Sequence, residues 1–378
     1  MQKPKNKVLL LTQYEMPLFK RNMNAYERIY RGAEHAEVSL IVRKNAEVSE
    51  DISKRVRVIR SFAQNRGLFI FHCFFVALRL RLSGYKTILT EPSGFAAVGF
   101  VAKYFAGYFW VMDVWDRPRW HAGNHEEGDK PPFSDRVVFW IMKRADFYVL
   151  SCLPRAAKDI DPPPEKCAQF LNAIELDEAA SNAPTWASEV EPLRLAFARS
   201  KFPVTSGLQL IVETAEKLKA LGKHVELHLV GEMTTEGQAL IDQSDGRDLI
   251  VVNGFISEKR TEFFSKMHAG IVPYLPFEDV SYIFPIKVLE HLSQGNPVIA
   301  SNLPGLTAVV KDGENGLLFE PGDAESLTQQ VLKLLDSPTY YHDMAQRALA
   351  SIYQYGAEDK VRRVFEAIFA AASKKGKS

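Results

Sequence analysis

In the stretch FPIKVLEHLS, residues 284–293, a proline, a lysine and a glutamate stand at spacings that the first turns of one helix can use. Pro285 suits the first turn, where its missing N–H costs nothing. The free N–H groups of that turn can then receive a phosphate. Glu290 follows Lys287 by three residues, on a neighbouring face of the same helix. A carboxylate there can accept two hydroxyl hydrogens, as a ribose diol would offer. The other reading of these residues is a surface lysine–glutamate pair at helical spacing. Gly295 closes the helix, and PVIAS (297–301) follows as a short apolar strand.

A second group lies in FWVMDVWDRPRWH, residues 109–121, where a strand ends in Asp113 and Asp116 beside Trp115 and Trp120. Asp113 can orient a hydroxyl or take its proton, and Trp115 or Trp120 can stack on a sugar face. The alternative is an aspartate that caps the next loop. Lys20 and Arg21, in the first loop QYEMPLFKRN, are candidates for meeting phosphate or are solvated loop charges. Glu91 in TEPSG is a lone strand-end carboxylate.

The elements that must position these residues alternate along the chain. KVLLLTQ, EVSLIVR, RVRVIRSF, KTILTEP, FWVMDV and FYVLSC are β-rich runs, with helical segments such as AYERIYRGAE and DRVVFWIMKRA among them. The pattern restarts with LRLAFAR, HVELHLVG, LIVVNG, GIVPYL, PVIAS and GLLFE. Such alternation predicts two α/β domains, each a doubly wound parallel sheet, facing across a cleft where the strand ends bind ligand. Residues 1–176 form the first domain, the small and polar stretch 177–192 a linker, and 193–355 the second domain. A helix over 356–378 is expected to pack back on the first.

The bulk composition narrows the function classes. The 378 residues carry 47 lysines and arginines against 46 acids, a net charge of +1, so no general attraction to nucleic acid is expected. Three scattered cysteines form neither a disulfide frame nor a zinc site and are read as reduced, mostly buried thiols. The N-terminal apolar run is too short for the core of a signal peptide and reads as a first strand. The longest apolar run, LFIFHCFFVAL (68–78), is about half of what spans a bilayer. Within 65–82 it stands with Arg66, Arg79 and Arg81: a core helix is the first reading, a patch on an anionic membrane face the alternative.

PIKVLEHLSQGNPVIAS followed by GLTAVVKDGENGLLFEPGDAESL resembles the C-terminal signature of the retaining group 1, family 4-like glycosyltransferases of the GT-B class. The match is to the branch that keeps Pro-x-Lys-x-x-Glu. Glu290 falls on the glutamate that holds the ribose hydroxyls in that family; Tyr282 stands where a first glutamate usually is. LAFAR resembles the family strand that ends in a diphosphate-binding arginine, here Arg199. The usual lysine after it is replaced by Ser206, and Lys201 is a candidate substitute. HLVGE, with Gly231, resembles a strand-end loop near the donor, and VMDVW resembles an acceptor-side segment carried by some bacterial members.

The resemblance implies sugar transfer from a nucleotide-diphosphate sugar, a UDP-sugar before a GDP-sugar, to a saccharide or lipid-linked acceptor in surface polysaccharide or glycoconjugate synthesis. Retention, no cofactor and no metal are expected. Asp113, Arg199 and Lys287 would carry the chemistry, with Pro285, Ile286, Glu290, Lys201, Gly231 and Tyr282 on the donor and Trp115, Lys20 and Arg21 on the acceptor. The expected place of work is the cytoplasm, at or near the inner membrane face. Two rivals are a non-catalytic nucleotide-sugar-binding protein and a UDP-sugar 2-epimerase-like enzyme.

Overall fold

The computed structural model of the protein describes residues 6–12, 24–91, 94–114, 133–151, 153, 157, 160–186, 191–203, 206–256, 260–276, 281–282 and 284–376, the side chains of 24–28 and 178 excepted. Lys20, Arg21, Trp115, Asp116 and Trp120 lie outside the described residues. The chain divides into two compact units, Met1–Ala173 with Ala357–Ser378, and Ile174–Gly356.

The first unit is built on a seven-stranded sheet. Its strands are β1 (Lys7–Leu11), β2 (Glu37–Val42), β3 (Arg57–Arg60), β4 (Thr87–Thr90), β5 (Phe109–Val114), β6 (Phe147–Leu150) and β7 (Cys167–Gln169). All pair in parallel, in the order β3-β2-β1-β4-β5-β6-β7. Strands buried on both faces explain the near-continuous apolar runs. Alternate residues of β5 serve the two faces. Phe109 and Val111 join a core with Val361 and Phe365 of the Ala357–Lys375 helix. Trp110 instead fills the space above Gly99 of the Gly94–Ala106 helix, where an added Cβ would meet its indole nitrogen at 2.1 Å.

Val361, Val364, Phe365 and Ile368 are buried at the spacing of one helical stripe, which is why the C-terminal helix packs on this unit. It lies on the Asn24–His35 helix, with Phe365 pressed against Gly32.

The second unit has six parallel strands: β8 (Leu193–Phe202), β9 (Val225–Met233), β10 (Ile250–Gly254), β11 (Ala269–Val272), β12 (Val298–Ser301) and β13 (Gly316–Phe319), in the order β10-β9-β8-β11-β12-β13. The winding reverses between β8 and β11. In open parallel sheets ligands bind at that reversal, outside the carboxyl ends of the strands.

The stretch 177–192 is not a free linker. Ala183 and Trp186 are buried in the core of the second unit, and the Trp186 amide donates to His342 Nε2 at 3.1 Å. Burial of the large indole fastens the segment down, so the chain passes between units at 173/174 instead. Among the described residues, strand β7 is the strand that no apolar run announced; it is three residues long and half-exposed. Cys73 is buried and Cys167 half-buried, both as free thiols.

Candidate functional site

The helix Ile286–Ser293 connects β11 to β12. A crossover between parallel strands returns antiparallel to them, so its N-terminus sits at the carboxyl edge of the sheet. Pro285 is the N-cap residue and not the first helical one; its carbonyl accepts from the Val288 amide at 3.2 Å. The sequence stops the helix sharply. Gly295, at φ +73°, donates to the Leu292 carbonyl while Asn296 donates to that of His291, two bonds that satisfy the final turn.

Lys287 and Glu290 meet as their spacing suggests, Nζ to Oε2 at 3.1 Å. A third residue joins them. Arg260, first in the short helix Arg260–Phe264 after β10, places Nη2 2.6 Å from the same oxygen. Glu290 is 12% exposed at its side chain, so the group is largely shielded from water. Among the described residues both contacts fall on Oε2, which leaves Oε1 able to accept from a ligand. Among the described residues, two cations thus share one carboxylate oxygen. The next residue, His291, is fully buried against Phe264 and Gly270 and has a structural part.

Arg199 lies towards the end of β8, beside the winding reversal. Its Nη1 donates to the Ser206 carbonyl at 2.9 Å, while its Nε is buried without a hydrogen-bond partner. No carboxylate pairs with it among the described residues. Burial holds its pKa below the ordinary guanidinium value, partly offset by the phenol of Tyr274. A half-buried cation without a counter-charge is costly, and an anionic ligand would neutralise it.

Two glycines shape the surroundings of Arg199. Gly207, at φ +87°, precedes the helix Leu208–Ala220, and a Cβ on it would lie 2.1 Å from the Pro273 carbonyl oxygen just beyond β11. Gly231 stands at φ +153°, where a Cβ would lie 2.1 Å from the Arg199 carbonyl oxygen. Only glycine combines these backbone angles with such close approach. Lys201 turns elsewhere: past a register shift in β8 its exposed ammonium pairs with Glu232 at 3.2 Å. Tyr282 is half-buried ahead of the 286–293 helix.

In the first unit Asp113 ends β5 and is 2% exposed. The β4–β5 register pairs Thr90 with Met112, so Glu91 follows opposite Asp113. Glu91 is buried as well. Two buried carboxylates on neighbouring strand ends are a feature that strand spacing alone could not reveal.

Known proteins share this fold. Residues 192–337 match the family model described as glycosyl transferases group 1. These residues are thus similar to a group 1 glycosyl transferase domain. A curated relative, N-acetyl-alpha-D-glucosaminyl L-malate synthase of Bacillus anthracis, is 29% identical over 86 residues, 23% of this chain and 23% of that protein. The chain thus matches about a quarter of that relative's length. Sucrose-phosphate synthase from Thermosynechococcus elongatus superposes with a TM-score of 0.74 at 17% identity, covering 97% of this chain and 100% of the other. Anabaena Alr3699/HepE, in complex with UDP and glucose, superposes with a TM-score of 0.72 at 15% identity over 97% and 100%. The fold is therefore that of the GT-B glycosyltransferases, two Rossmann-like domains, and the residues matched by the family model make up most of the second unit.

Proposed function

We propose that the protein transfers a sugar from a nucleotide-diphosphate sugar to a saccharide or lipid-linked saccharide acceptor. The observation that carries this reading is Arg199: a half-buried cation without a carboxylate partner among the described residues, at the winding reversal of a group 1 glycosyl transferase domain. A UDP-sugar is the favoured donor, since HepE of the same fold is seen with UDP and glucose.

On this reading the bond from the sugar's C1 to the terminal phosphate oxygen breaks, and the acceptor hydroxyl forms the new bond to C1. The nucleoside diphosphate leaves as a weak base and needs little general acid. Charge growing on it is met by Arg199, Lys287 and the amides around Ile286, without a metal. Glu290 holds the ribose hydroxyls through Oε1, with Arg260 and Lys287 fixing its orientation. Asp113 orients the acceptor hydroxyl or takes its proton. Retention, and a role in surface polysaccharide or glycoconjugate synthesis, belong to the same proposal.

A panel of nucleotide sugars tested by thermal shift checks it, because a ligand bound to the folded state alone raises the melting temperature. A UDP-sugar should raise it in the wild type and much less in Glu290→Ala. No response to any nucleotide sugar would contradict the reading.

A further inference from the structure

The helices Arg66–Leu82, Gly94–Ala106 and Phe133–Met142 pack side by side on one face of the first sheet. Their outer surface is the reverse of an ordinary amphipathic one. On Arg66–Leu82 the buried stripe is Phe69, Cys73, Ala77 and Leu80, yet the opposite, solvent-facing stripe is also mostly apolar. Phe71 is 58% exposed and Phe75 is 50% exposed, with their rings 4.8 Å apart. Tyr104 and Phe105 continue this surface on the second helix. Trp140, 51% exposed, does so on the third, joined through a 5.8 Å contact between its ring and that of Phe100. Among the described residues, most of the exposed large apolar side chains lie between 62 and 140.

The charges on this face have one sign. Arg66–Leu82 and Gly94–Ala106 contain no Asp or Glu, and the sole carboxylate of Phe133–Met142, Asp135, is buried. Arg66, Arg79, Arg136 and Lys143 are exposed there, and the Arg144 guanidinium lies 3.4 Å from the centroid of the Trp140 ring. The other face of the same sheet provides a contrast. There the Ala357–Lys375 helix turns Glu358, Asp359 and Glu366 to water. That helix mixes these carboxylates with Arg362, Arg363, Lys374 and Lys375, whereas the exposed charges of the three helices are all basic.

Aromatic rings interleaved with arginines, without exposed carboxylates, suit the boundary between anionic headgroups and acyl chains. The rings insert there, and the cations gain from the surface potential. No helix among the described residues is long and apolar enough to cross a membrane, so this contact would lie on the surface of the bilayer. We infer that the three-helix face docks on an anionic lipid bilayer. The inference refines where the proposed transferase works. It is read without nucleotide or acceptor, so docking and sugar transfer can fail separately.

The test is co-sedimentation of the full chain with vesicles of phosphatidylcholine alone and of phosphatidylcholine mixed with phosphatidylglycerol. The wild type should bind the mixed vesicles, bind the neutral ones far less, and release as salt rises. Phe71→Ser with Phe75→Ser should lower binding by roughly ten-fold or more. Arg79→Glu with Arg136→Glu should do the same at low salt, by about ten-fold. All four side chains are exposed, so the melting temperatures should stay near wild type, which shows that lost binding is not lost folding. Wild-type protein that stays in the supernatant with the mixed vesicles overturns the inference. Equal binding by both variants does so too. A dimer in sedimentation velocity that the Phe71/Phe75 variant dissolves would assign the face to a second copy of the chain.

Discussion

Arg260 and Glu290 meet Nη2 to Oε2 at 2.6 Å across thirty residues of sequence, and Lys287 shares the same oxygen at 3.1 Å. The carboxylate proposed to hold the donor's ribose is therefore gripped from two sides. Pre-orientation of this kind lowers the entropy that binding must spend.

Glu290→Ala should weaken nucleotide-sugar binding by one to two decades, roughly 1.5–3 kcal/mol, because two hydroxyl donors lose their acceptor. Arg260→Ala should weaken it less, by about a few-fold, since Lys287 still holds the carboxylate. The double variant should resemble Glu290→Ala alone, as residues acting through one group do not add. Calorimetric titration of the three variants measures this. Wild-type affinity in Glu290→Ala would return the glutamate to a structural ion pair.

Arg199→Ala should lower kcat far more than it raises KM, because the guanidinium acts on charge that grows towards the transition state. Chelation with EDTA should leave the wild-type rate nearly unchanged. A strict need for manganese or magnesium would show that a metal carries the diphosphate charge in place of Arg199 and Lys287.

The two glycines beside Arg199 make a prediction about stability. Gly207→Ala and Gly231→Ala each place a methyl group 2.1 Å from a carbonyl oxygen, at backbone angles that L-residues rarely adopt. Each should cost roughly 2 kcal/mol or more in urea unfolding. Gly222→Ala has positive φ but nothing within 4 Å of the added atom, so it should cost only about 1 kcal/mol. Equal losses at all three positions would mean that backbone angle alone decides, and that close packing around Arg199 does not.

Burial pushes the imidazole pKa values of His268 and His291 down to about 4, with Arg194 adding to the effect at His268. The ordinary imidazole value is 6.5, so between 6.5 and about 4 the unfolded chain binds protons that the folded chain refuses. Their contribution is therefore complete above 6.5 and is lost as the pH falls towards 4, by up to roughly 3 kcal/mol for each. Melting temperature followed against pH should stay level above 6.5 and decline below it. His291→Gln should show a shallower decline, and a wild-type curve level down to pH 4 would contradict the assignment.

The strand-and-helix alternation was legible because parallel strands buried on both faces leave unbroken runs such as KVLLL and FWVMDV. Strand β7 left no such run, being short and half-exposed. The segment 177–192 reads as a linker by its small and polar composition, but a single tryptophan, Trp186, anchors it. Within the site, Lys287 and Glu290 were visible because helical spacing brings them together locally. Arg260 beside Glu290, and the place of Glu91 opposite Asp113, were not, because these neighbours come from elements that meet only in the folded sheet. An exposed apolar stripe is likewise hidden in sequence, since Phe71 and Phe69 look equally like core until burial separates them.

Sugar transfer is tested by pairing donor binding with product formation in the wild type and in Asp113→Asn. The amide keeps the size of the carboxylate but cannot take up a proton at neutral pH. Wild-type protein should bind a UDP-sugar and deliver its sugar to an acceptor from a lipid extract or oligosaccharide panel. Asp113→Asn should bind the donor equally well and form little product. A wild-type protein that binds the nucleotide sugar, yet neither transfers nor slowly hydrolyses it across the whole panel, would contradict the claim and leave a nucleotide-sugar sensor in its place.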